Sequence, residues 1–132
     1  MVTFNSLVDK VIKEADILLL VADARNVRGS INRELEARII KQRKRYLHVI
    51  NKADLITKKE QQSISLANSI QISATQHWST LRLLRRIMKL SEGNQVVVGV
   101  VGYPNTGKST LINSLKGRHS APTSPRSGYT RS

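Results

Sequence analysis

The chain alternates between two kinds of hydrophobic order. NSLVDKVIKEA places Leu7, Val8, Val11 and Ile12 one and four residues apart, on one face of a helix predicted over 5 to 14. DILLLVADA follows with an unbroken apolar run of strand length, the pattern of a strand covered on both faces. In SINRELEARIIKQRKR the helical spacing returns, with Ile31, Leu35 and Ile39 inward, acids early, bases late and Ser30 as the expected N-cap. YLHVI reads as a second strand. Thr57 and Glu60 form a capping box that opens a helix to about residue 67, and IQIS is a third strand. A helix from about 79 to 90 precedes the fourth strand, NQVVVGVVG. A last helix, Lys108 to Leu115, turns Leu111, Ile112 and Leu115 inward. The remainder, GRHSAPTSPRSGYTRS, is rich in turn formers and is expected to be an exposed loop.

Strands alternating with helices specify an α/β fold, a parallel sheet with right-handed crossovers and helices on both faces. The 132 residues suit a single domain, and neither repeat nor linker interrupts them. Ligands of such sheets bind at the carboxyl ends of the strands, so the residues just after each strand are the candidates. The longest apolar runs, ILLLVA and VVVGVV, fall far short of the roughly 20 residues a spanning helix needs, so no membrane partner is expected. The start carries acids in an amphipathic pattern where a secretory signal has a basic start and an apolar block. With no cysteine there are no disulfides or thiolate metal sites, and His48, His77 and His119 are too scattered for a local metal motif. The expected compartment is the cytoplasm.

Charge adds a partner class. Lys and Arg number 22 against 9 Asp and Glu, a net charge of +13 that attracts polyanions, nucleic acid first among them. Arg82, Arg85, Arg86 and Lys89 share one helical face, beside an expected apolar stripe of Leu81, Leu84 and Met88. The second basic cluster, KQRKR at 41 to 45, closes a helix, where positive charge also suits the helix dipole.

After the fourth strand stands Gly102-Tyr-Pro-Asn-Thr-Gly107-Lys108-Ser109, a complete G-x-x-x-x-G-K-[ST] phosphate loop. Its glycines let backbone N–H groups curl round phosphates. Lys108 neutralises the outer phosphates, Ser109 offers a hydroxyl to Mg²⁺, and the helix N-terminus adds its dipole. After the second strand stands Asn51-Lys52-Ala53-Asp54. A fixed carboxylate such as Asp54 accepts both donors of a guanine edge, which adenine lacks; Lys52 lays its stem over the purine, and Asn51 either braces the loop or reaches the base. After the third strand come Ser73, Ala74 and Thr75, where a small residue leaves room for a backbone N–H to meet the guanine carbonyl. Asp23, closing the first strand, is either a metal partner or a loop brace.

These elements resemble those of translation-factor-like GTPases, in rearranged order: the base-reading elements come before the phosphate loop. The order, with DAR at 23 to 25, GYPNTGKSTLINSL and APTSPRSGYTR, is similar to the circularly permuted GTPases of the YlqF/YawG type, and the likeness runs along essentially the whole chain. The resemblance implies a P-loop NTPase three-layer fold with the four strands ordered 4-1-2-3. It implies GTP or GDP as ligand, with Mg²⁺, and a ribosomal subunit or ribosomal RNA as partner. By the same resemblance Asn105, Thr106, Gly107, Lys108, Ser109 and Thr110 hold phosphates, Thr130 is the switch threonine reaching Mg²⁺ and the terminal phosphate, and Asn105 is associated with a bound K⁺. Lys108 and Thr130 would carry catalysis, and 117 to 132 would be a mobile switch loop. The family continues into two further strands and a D-x-x-G motif, whereas no Asp or Glu follows Glu92 here. The expectation is a fragment, or a chain without its tail, with its fourth strand exposed at a sheet edge and weak hydrolysis. Two other readings stand beside this one: an ATP-using P-loop NTPase, and an RNA-binding module with an incidental nucleotide site.

Overall fold

In the computed structural model, residues 4–118 and 123–127 are described. Helix α1 (Phe4–Glu14) leads into β1 (Ile17–Asp23), a 3₁₀ turn, the single-turn α2 (Val27–Ser30), α3 (Arg33–Lys41) and β2 (Arg45–Asn51). A second 3₁₀ turn (Ala53–Leu55), α4 (Lys58–Ser63), β3 (Ser69–Gln71), α5 (Thr80–Ser91), β4 (Val96–Gly102), α6 (Lys108–Arg118) and β5 (Thr123–Ser127) follow. All strand pairs are parallel, in the order β3-β2-β1-β4-β5. The α/β architecture is the expected one, and the first four strands keep the sequence 4-1-2-3.

β1 is buried along almost its whole length, and its side chains divide by parity. Ile17, Leu19 and Val21 point into a core with Leu47, Val49, Leu83, Ile87, Val98, Val100 and Leu111, under α5 and α6. Leu18 and Leu20 join Val11, Ile12, Leu35 and Ile39 under α1 and α3. A strand covered on both faces has no polar side to show, which is why its sequence lacks alternation. Gly99 lets α1 approach β4 closely, since a Cβ there would lie 2.7 Å from a Val11 methyl and 3.0 Å from the Ala15 Cβ.

Four expectations are corrected. β4 is not at the edge, because β5 pairs with it from Val96↔Thr123 to Val100↔Ser127, inside the segment expected as a loop. Pro125 within β5 is compatible with an outermost strand, where a missing N–H interrupts no inner ladder. Ser30 does not cap α3. Its hydroxyl accepts from Asp23 N at 2.8 Å and donates to Asn26 O at 2.6 Å, while Asn32 Oδ1 caps α3 by accepting from Leu35 N at 3.0 Å. α4 forms its full capping box but ends at Ser63, earlier than expected. On α5 the inward stripe is Leu83, Leu84 and Ile87; Leu81 and Met88 face outward, 47% and 42% exposed.

Candidate nucleotide site

Register brings the candidates to one edge of the sheet. Asp23 ends β1 opposite Asn51, which ends β2, and Val21 lies opposite Gly102, which ends β4. The phosphate loop, N-K-A-D and S-A-T therefore leave neighbouring strands on the same side. Gly102 is a packing requirement as well as a turn residue, because a Cβ would sit 2.6 Å from the carbonyl oxygen of Val21.

The loop after β4 is shaped by its own hydrogen bonds. Asn105 and Gly107 are left-handed, with φ of 67° and 90°, and Thr106, buried, donates its hydroxyl to Tyr103 O at 2.8 Å. Leu111 N bonds Gly107 O at 3.0 Å, which starts the helical ladder, so the amides just ahead of it lack helical partners. They border a hollow of about 210 Å³ lined by Asn105, Gly107, Lys108, Ser109 and Thr110. Such an array of amides under the positive end of a helix is an anion cradle. The Lys108 ammonium is folded into the loop, donating to Gly102 O at 2.5 Å.

Asn51 is the clasp between the three loops. Its Nδ2 donates to Thr106 O at 2.9 Å and its Oδ1 accepts from Ala74 N at 3.0 Å, both in the interior. The two alternatives for Asn51 thus resolve to the brace. The same contact engages the Ala74 amide, while the neighbouring Thr75 sits exposed at the tip of the turn. Ser73 holds the base of that turn through paired backbone bonds with Trp78, of 2.9 and 3.1 Å, and its Oγ accepts from Gln76 N at 3.2 Å.

Lys52, left-handed with φ of 66°, donates to Asn105 O and lies 3.5 Å from Asp23 Oδ2. Asp23 is a brace. It accepts from Arg25 N, Nε and Nη2 at 2.8 to 3.0 Å, and those bonds, opposed by partial burial, hold its carboxyl at about 2 instead of 3.8. Sequence reasoning offered Asp23 as a metal partner or a loop brace but did not find its relay through Arg25 and Lys52. Asp54 lies in the 3₁₀ turn after Lys52, which Ala53 N fastens to Ile72 O at 3.0 Å. Its Oδ1 is buried, and among the described residues no donor reaches it. Ser109 and Thr110 are exposed at the rim of the hollow, Thr130 lies outside the described residues, and among those residues no group of three or more His, Cys, Asp or Glu side chains could hold a metal.

Residues 97–132 match the family described as 50S ribosome-binding GTPase. The matched stretch begins in β4 and carries the loop at that strand's carboxyl end and α6 after it. The fold is that of a P-loop GTPase. Over a longer span the chain is similar to GTP-binding proteins. It is 39% identical to an uncharacterised GTP-binding protein of Methanocaldococcus jannaschii, over 98% of this chain and 36% of that protein. It is 32% identical to nucleolar GTP-binding protein 2 of Saccharomyces cerevisiae and 34% identical to nuclear/nucleolar GTPase 2 of Arabidopsis thaliana, each over 92% of this chain and 28% and 23% of theirs. The chain thus spans about a third or less of the length of these relatives. Among the described residues no helix of this GTPase fold is long and apolar enough to cross a membrane.

Proposed function

We propose that the chain is the guanine-nucleotide-binding part of a circularly permuted GTPase of the YlqF/YawG type that acts on a ribosomal subunit or its RNA. The observation that carries the reading is the Asn51 clasp, which holds the N-K-A-D turn, the S-A-T turn and the phosphate loop together across a sequence separation of 55 residues. Base reading and phosphate binding then belong to one ligand. The orphaned Asp54 Oδ1 suits a partner with donors, and a guanine edge has two where adenine has no such pair. On this reading Thr75, exposed beside the engaged Ala74, offers its amide to the guanine carbonyl.

Phosphates lie in the hollow beneath the α6 amides, with Lys108 exchanging Gly102 O for phosphate oxygens and Ser109 serving a nucleotide-bound Mg²⁺. Thr130 would complete the metal site in the triphosphate state, and 117 to 132 would act as the switch. Asn105 lines the same hollow, where the reading puts a K⁺. Hydrolysis proceeds by positioning and charge neutralisation, mainly through Lys108 and Thr130, and switches affinity for the ribosomal partner. The basic charge and the relatives' names support that partner, and with it a compartment that holds ribosomal particles. The single-domain organisation over 1 to 132 is part of the same proposal.

The test is calorimetric titration with GDP, GTP and ATP of this chain and of Asp54→Asn. An amide offers one acceptor and one donor to an edge with two donors, so guanine affinity is expected to fall about 100-fold or more while ATP stays weak. Equal affinity of the parent for ATP and GDP would overturn the reading in favour of a general P-loop NTPase. RNA binding indifferent to Lys108→Ala, without nucleotide binding in the parent, would favour the RNA module.

A further inference from the structure

We infer that the outer face of α5 and the hollow in front of Trp78 form a binding site for single-stranded RNA, with one unstacked base in the hollow and the backbone running along the helix. The inference rests on the ribosomal-partner reading and names the surface that would serve it.

Four observations converge. Trp78 is the chain's single tryptophan and is 47% exposed, although a side chain of this size ordinarily contributes to a core. It is held in that position from both sides: His77 and Ser79 are left-handed, with φ of 60° and 58°, and the Trp78 backbone is paired to Ser73. Left-handed non-glycine residues cost free energy and collect at ligand clamps. Trp78 also walls a hollow of about 390 Å³ with Arg82, Gln61, Gln62 and Gln71. The Gln61 and Gln71 amide nitrogens are committed to Ala53 O and Gln61 O, both at 2.8 Å, which anchors these side chains with their oxygens left as acceptors. An aromatic face, fixed amide groups and a guanidinium are what a splayed-out base and its phosphate need.

The fourth observation is charge that the fold leaves uncompensated. On α3 the arginines are paired, Arg33 with Glu36 at 2.7 Å and Arg38 with Glu34 and Asp9 at 2.8 and 3.0 Å. On α5 there is no acid from Thr80 to Ser91, and Glu92 just beyond is taken by Arg45 at 2.6 Å. Among the described residues no hydrogen bond or ion pair engages the side chains of Arg82, Arg85, Arg86 or Lys89. Arg82, Arg85 and Lys89 are exposed, and Leu81 and Met88 between them supply apolar surface for ribose and base faces. Residues 82, 85 and 89 lie three and four apart, so their charges follow one line leading from the hollow. A polyanion with accessible bases matches this face better than a protein groove does, because the cations stand along a line without partners among the described residues and the hollow beside Trp78 is lined mainly by polar side chains.

Trp78 supplies the signal for the test. Single-stranded oligoribonucleotides of mixed sequence are titrated into the chain while its fluorescence is followed, with a duplex of the same sequence as comparison. Quenching of Trp78 by the single strand is expected, and Trp78→Ala, which lacks that signal, is expected to bind the same oligonucleotide, end-labelled and followed by fluorescence anisotropy, roughly 5- to 150-fold more weakly. Joint replacement of Arg82, Arg85 and Lys89 by Ala should lower the slope of log affinity against log salt by about 2. GDP titration of each variant verifies that the fold is intact. Salt-dependent RNA binding that none of these substitutions alters would overturn the assignment of this face and leave the ribosomal reading standing. Failure of the parent to bind any RNA would remove both. Duplex RNA binding as well as single strands would refute the base in the hollow, and quenching by RNA-free ribosomal proteins alone would assign the face to a protein.

Discussion

Asn51→Ala tests whether the three loops form one unit. The substitution removes two interior hydrogen bonds and leaves the Ala74 N–H and the Thr106 carbonyl with no partner, since water does not reach that point and both residues are about 2% exposed. A net hydrogen bond is worth about 1 kcal/mol, and an abandoned buried group costs about 1 to 3 kcal/mol, so the expected loss is about 2 to 4 kcal/mol. At about 2.1 cal/mol/K of unfolding entropy per residue, a chain of 132 residues loses roughly 10 °C in Tm. The measurement is thermal unfolding without nucleotide, because a bound ligand adds its own stabilisation. Native-state hydrogen exchange gives the local readout: protection of the Ala74 amide should vanish while that of Val98, inside the sheet, stays high. GDP affinity should fall as the turns lose their mutual register. A Tm within about 2 °C of the parent together with an unchanged GDP affinity would refute the clasp.

Gly107→Ala puts a Cβ 2.4 Å from Asn51 Nδ2 at a φ of 90°, so a loss of about 1 to 3 kcal/mol and at least tenfold weaker GDP binding are expected by thermal unfolding and calorimetry; an unperturbed variant would contradict the loop geometry. Glu36 makes a pH-dependent contribution. Burial pushes its carboxyl up, but His48, Arg33 and Tyr46 at 2.7 to 3.0 Å outweigh that and bring it from 4.5 to about 2. A carboxyl depressed by folding stabilises above its unfolded pKa and ceases to as pH falls from 4.5 towards 2. Glu36→Gln should therefore cost up to about 3 kcal/mol at pH 7 and progressively less below pH 4.5, read as a Tm gap that closes on acidification.

The order of elements was legible because burial demands are local. ILLLVA carries no alternation, and both of its faces are covered; the capping box at Thr57 forms as written, since its two bonds span three residues. The phosphate loop was legible for the same reason, being one contiguous turn whose backbone shape its glycines allow. Errors arose where two local readings competed. Ser30 and Asn32 are both good caps, and the choice fell to Asn32 because Ser30 is drawn to the end of β1. On α5, Leu81 and Leu84 lie three residues apart, as an inward pair would, but the helix turns Leu83, Leu84 and Ile87 to the sheet and leaves Leu81 outside.

What the sequence determined alone is the alphabet of the site: a phosphate loop, N-K-A-D and S-A-T, each after a strand. What only the tertiary structure decided is how they join. A side chain 55 residues from Thr106 chooses its partners by strand register, and a pattern along the chain carries no record of which carbonyl a carboxamide will find across a sheet. The Ala74 amide is claimed by Asn51, while Asp54 keeps an oxygen in the interior that no donor among the described residues reaches. The uncompensated charge of α5 is decided the same way, since whether an arginine is paired depends on which acids folding brings within reach.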